Sequence, residues 1–122
     1  MIYTKTQIDL LNASLQGDVK AFKKLLQVSQ KLAALEGAIK SEKKAMDWLM
    51  KNDAILAVFV SATEGNKSAI RLLIQKGETV LAATANVLKG DDKAAMWLVK
   101  HKLAHYIELA EAIKYAQDHT PD

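Results

Sequence analysis

Histidine and carboxylate pairs, serines and lysines are the residues here whose types could do chemistry, and spacing is the first test of each. His101 and His105 stand four apart, the separation that places two imidazoles on one helical face, as in HxxxH metal motifs. A zinc protease of that kind needs a glutamate directly after the first histidine, and Lys102 holds that place. A helix break is also expected near Lys102, which would turn the two rings apart, so both read as surface or interface histidines. His119 lies in the tail with no evident partner. Asp91 and Asp92 form an acidic pair, but Asp91 is placed to cap a helix, and no second carboxylate pair follows at a comparable spacing for general acid–base work. Ser29, Ser41, Ser61 and Ser68 lack the setting of an activated nucleophile. The glycines are spread along the chain and form no phosphate loop, and there is no cysteine to act as nucleophile, thiolate ligand or disulfide partner. The expectation is a non-enzymatic protein that uses no cofactor and no metal.

The elements that must position these residues come from an internal repeat. Aligned on one turn position, Gly17, Ser41, Gly65 and Gly90 recur at spacings of 24, 24 and 25 residues. The residue after each turn is Asp18, Glu42, Asn66 or Asp91. Four residues beyond the turn stand Ala21, Ala45, Ala69 and Ala94; eight beyond stand Leu25, Leu49, Leu73 and Leu98. Nine before it stand Ile8, Leu32, Leu56 and Leu81. Each column has a physical reason. Glycine takes the left-handed geometry that ends a helix. An acidic or amide side chain next to it caps the following helix and suits its positive end. Alanine lets two helices approach closely, and leucine one turn on supplies buried apolar mass.

The pattern predicts helices near 4–16, 18–29, 31–40, 42–52, 54–64, 66–76, 78–89, 91–101 and 103–118, with no strand. Helices of this length are unstable alone in water, so stacking must hold them. The expected fold is all-α: one helical-repeat domain over 1–122, about four and a half stacked helix-turn-helix units forming a short α-solenoid. The last helix has no full partner, and the polar ending QDHTPD suits a terminal cap with a wet outer face. Trp48 and Trp97 sit at matching positions just before the core leucine, which reads as packing. Tyr3, Tyr106 and Tyr115, near the ends, are placed to cover the edges of the stack.

The stretch ATEGNKSAIRLLIQKG resembles the helical part of an ankyrin repeat through Ala62, Gly65, Ala69, Leu72, Leu73 and Gly77. ASLQGDVKAFKKLL matches it through Ala13, Gly17, Leu25 and Leu26. Ankyrin units run to about 33 residues; these are shorter, lack the Thr-Pro-Leu-His signature and have no room for the β-hairpin arm. The resemblance therefore implies a shortened, ankyrin-like array, and with it a protein-interaction scaffold.

The formal charge is +3, and of seventeen basic residues only Arg71 is not lysine. Stacking would align Lys20, Lys44 and Lys93 in a ladder interrupted by Ser68, a solvated face in the first instance. An acidic protein partner is the functional reading of that face, and a nucleic-acid or other polyanion scaffold is the alternative, with nucleic acid disfavoured by the scarcity of arginine. No apolar run reaches the roughly 18 residues of a membrane span, and MIYTKTQIDLLNA is polar where a signal peptide would be apolar. A cytoplasmic protein with no membrane partner is expected. Its binding surface is expected on the first helix of each pair, at Asn12, Glu36, Lys40, Ser61, Glu64, Asn86 and Lys89.

Overall fold

The computed structural model describes residues 3–119, so the last three residues of QDHTPD and the first two of the chain lie outside it. Among the described residues there are nine helices and no strand: α1 (Lys5–Leu15), α2 (Val19–Val28), α3 (Gln30–Ile39), α4 (Lys43–Asn52), α5 (Ala54–Thr63), α6 (Lys67–Gln75), α7 (Thr79–Leu88), α8 (Asp92–Lys100) and α9 (His105–His119).

The four predicted turns are one structure used four times. Gly17, Ser41, Gly65 and Gly90 all have positive φ, at 101°, 68°, 94° and 86°. After each, one backbone N–H reaches back five residues: Asp18 to the Ala13 carbonyl at 3.0 Å, Glu42 to Gly37 at 3.0 Å, Asn66 to Ser61 at 3.2 Å and Asp91 to Asn86 at 3.1 Å. This bond satisfies a carbonyl that the ending helix would otherwise leave unpaired. The side chains of Asp18, Asn66 and Asp91 then cap the next helix, accepting from Ala21, Ala69 and Ala94 N–H respectively. The second unit departs from the pattern. Glu42 makes no cap bond, because its longer side chain carries the carboxylate past the helix end and up beside Gly37.

The packing columns behave as the repeat requires. Ile8, Leu32, Leu56 and Leu81 from the first helices, and Leu25, Leu49, Leu73 and Leu98 from the second, are fully buried in one continuous core. Trp48 and Trp97 are half-buried and pack on that core. In each hairpin the two helices pack together, and α1, α3, α5 and α7 pack side by side as an inner layer, with α2, α4, α6 and α8 outside.

The junctions from outer to inner helix come in two kinds. Ser29 and Asp53 are single extended residues that end one helix and cap the next, accepting from Leu32 and Leu56 N–H. Asp53 also faces Lys31 Nζ at 3.3 Å. Gly77 and Lys102 instead take the left-handed conformation, and Glu78 and Leu103 N–H reach back to Leu73 and Leu98.

One difference from an open stack matters for function. α9 does not stand at the end as a wet cap. It packs against both α1 and α7 and also touches α3, and Gln117 Nε2 donates to the Thr63 carbonyl of α5 at 3.3 Å. Its long inward face, including Tyr106, Leu109, Ala112 and Ile113, is fully buried. The stack curls until its last helix meets its first, and α9 fills the concave side. Tyr106 is accordingly a core residue, not an edge cover: its hydroxyl accepts from the Tyr3 N–H at 2.7 Å. Burial raises both phenols above the ordinary tyrosine range, with Asp53 adding to the effect at Tyr3, so the seam is a neutral hydrogen bond.

Candidate functional site

With the concave side filled, accessible recesses lie at the C-terminal ends of the inner helices, some against α9 and some against the neighbouring outer helices. Two of these recesses are the same place in the repeat. The first, about 230 Å³, lies between α2 and α3 and is lined by Val19 and Phe22 on one side and Glu36 and Lys40 on the other, with Asp18 and Glu42 at its rim. The third, about 370 Å³, lies between α6 and α7 and is lined by Lys67, Ile70 and Arg71 opposite Asn86 and Lys89. Counted from the turn, Val19 and Lys67 are equivalent, as are Phe22 and Ile70, and Lys40 and Lys89. By the same register Lys43, Met46, Ser61 and Glu64 hold the corresponding positions where α4 packs on α5.

Each groove has an apolar floor because the outer helix is amphipathic. Phe22 and Met46 are half-buried and Ile70 is buried, all against the core. The rim is polar because the inner helix ends there, and its last residues face water.

The chemistry of the first groove is self-contained. Glu36 is buried, with its side chain 6% exposed. Ser14 Oγ donates to Glu36 Oε2, and Lys40 Nζ reaches the same oxygen at 3.3 Å and the Ser14 carbonyl at 3.2 Å. A buried carboxylate is tolerated only with such partners. Ser14 is 1% exposed, so its hydroxyl links α1 to α3 and is shielded from any substrate. In the third groove no carboxylate lines the recess. Among the described residues no ion pair joins Lys67, Arg71 or Lys89. Glu111 of α9 shares a further cavity with Lys89, on its other side, and makes no ion pair with it.

The seven residues expected on the inner helices are thus divided. Glu36 and Lys40 meet in the first groove, Asn86 and Lys89 line the third, and Ser61 and Glu64 hold the equivalent positions by register in the hairpin between them. Asn12 is a correction: it is buried in α1, and its Oδ1 has no hydrogen-bond partner among the described residues. Glu36 is corrected in part, since it holds Lys40 and Ser14 and does not face solvent. The inner-helix expectation missed the other wall of each groove, Val19, Phe22, Lys67, Ile70 and Arg71. The signal was present in the sequence, because the position five beyond the turn is apolar in every unit: Phe22, Met46, Ile70 and Ala95.

The histidines are kept apart. The His101 ring stacks on Trp97 at 4.2 Å and its Nδ1 meets the Trp97 carbonyl at 2.8 Å, whereas His105 lies beyond the break at Lys102, against Tyr106. Among the described residues no three His, Cys, Asp or Glu side chains are grouped to hold a metal, and no helix is long and apolar enough to cross a membrane. Comparison with known protein families, curated proteins and solved structures finds no match.

Proposed function

We propose that this protein is a non-enzymatic, ankyrin-like helical-repeat scaffold that binds a protein partner along the grooves between successive hairpins. The observation that carries this reading is a single groove frame repeated along the array with different linings: acidic and self-paired in the first, basic in the third. A frame held by the core leucines while rim chemistry changes can present distinct contacts to successive parts of one partner. The likeness of the hairpins to the helical part of an ankyrin repeat supports it, and the cysteine-free composition fits a reducing, cytoplasmic setting.

Affinity capture from native lysate, identification of the retained protein by mass spectrometry and hydrogen exchange on the reconstituted pair test the proposal. Protection is expected at 17–22, 40–46, 64–71 and 89–92. Protection confined to the solvent faces of the outer helices would sink the groove reading.

A second reading rests on a specific asymmetry of charge. α2 carries Lys20, Lys23 and Lys24 with no carboxylate, and α6 carries Lys67 and Arg71 with none; α4 and α8 are also net basic. α9 is net acidic. Such a face suits a polyanion. A salt titration with mixed DNA and RNA decides it: no binding at about 50 mM salt removes this alternative.

A further inference from the structure

The first and third grooves hold equivalent lysines in opposite circumstances. Lys40 has its counter-ion in Glu36. Lys89 faces Lys67 and Arg71 across an open recess whose lining contains no carboxylate. Three cations gathered around one cavity repel each other, and water screens that repulsion only in part where Ile70, 7% exposed, forms an apolar floor. Arg71 is the chain's single arginine, and its planar fork is suited to a carboxylate in a way that an ammonium is not. Asn86 adds an amide that can donate to the same oxygen pair.

From this we infer that the groove between α6 and α7 is a carboxylate-binding site. An aspartate or glutamate of a protein partner enters between Arg71, Lys67 and Lys89, while an apolar side chain next to it lies over Ile70. The inference rests on the protein-partner reading above and gives it a recognition element: the partner segment is acidic with an apolar neighbour. The first groove lacks this capacity, because Glu36 already occupies its lysine and Asp18 and Glu42 stand at the rim.

The test is amide-shift mapping on the whole chain by NMR, using a peptide with a Glu-Glu-Leu-Glu core and the same peptide with glutamine for glutamate. The glutamate peptide is expected to shift residues 67–71 and 86–91, and the glutamine peptide to shift neither. Arg71→Gln and Lys89→Gln, both at exposed positions, should each weaken binding by about tenfold, the scale of one charge-assisted contact. Lys20→Gln, on the outer lysine ladder, should leave affinity within about twofold, as screened surface charges do. Shifts spread over Lys20, Lys44 and Lys93, or equal shifts in the first groove, would overturn the inference. So would preferential displacement of the peptide by inorganic phosphate or an oligonucleotide, which would make this a phosphate site. The two readings fail separately. A captured partner that protects the other grooves but not 67–71 removes the carboxylate site and leaves the scaffold; mapped peptide binding with no protein partner does the reverse.

Discussion

The first and third grooves share a frame and differ in what stands on it. In the first, Lys40 is drawn inward onto Glu36 and Ser14; in the third, Lys89 stands at an exposed rim beside Lys67 and Arg71. Beneath them the supports are alike, with Leu25 and Leu73 fully buried at equivalent positions. A repeat fixes where a side chain is presented and leaves its charge free. Core columns are constrained because a lost methylene leaves a cavity. Rim positions, wet on one side, accept either charge at a cost of a few tenths of a kcal/mol.

The largest expected effect tests the common frame. Leu25→Ala and Leu73→Ala should each lower the unfolding free energy by about 2–5 kcal/mol in urea titrations, as deep core truncations do. A negligible change at either one would break the equivalence of the two grooves. Next comes the difference between them. Lys40→Met strands a buried carboxylate with Ser14 as its remaining partner and should cost about 1–3 kcal/mol, discounted because the lysine side chain is 30% exposed. Lys89→Met should change stability by no more than about 0.5 kcal/mol. Equal losses at both positions would mean that the first groove is not self-paired.

Two smaller effects sharpen the contrast among hairpins. A Cβ added at Gly37 would lie 2.8 Å from Ala45 Cβ, so α3 and α4 cross more closely than an alanine permits. Gly37→Ala should therefore lower stability by about 1 kcal/mol net, with the crowding outweighing a helix-propensity gain of similar kind. An unchanged or raised melting temperature would show that the crossing can relax. Ser41, at φ 68°, is the one turn residue of the four that carries a side chain in the left-handed region. Ser41→Gly should raise stability by about 0.5–1 kcal/mol, read as a shift of the denaturation midpoint.

Much of the fold was legible because its signals are short. The turn at Gly65 and the cap at Asn66 use groups within six residues of one another, so every helix lies within two residues of its expected bounds. The break at Lys102 was legible for the same reason. The cap at Glu42 was misread because one extra methylene changes where a carboxylate ends, which column alignment does not register. The candidate site was half legible. Inner-helix rim residues such as Lys40 and Lys89 were named from the sequence, whereas Asn12 turned out buried and the apolar column of Phe22 and Ile70 was not read at all. Which side of an amphipathic helix ends up as a groove floor depends on the neighbouring hairpin, and no single window contains both.

Local backbone chemistry and the 24–25-residue period were therefore sufficient for the hairpins, their order and their shared core columns. Closure was a tertiary decision. It depends on small rotations between hairpins that accumulate along the array until α9 reaches α1, and on contacts such as that of Tyr3 with Tyr106, 103 residues apart. The same curvature filled the concave side, and the packing of α1 on α3 set Ser14 against Glu36, whereas Glu36 stands beside Lys40 through the i,i+4 spacing of α3 and Ala85 at the equivalent place leaves Lys89 with no ion pair among the described residues.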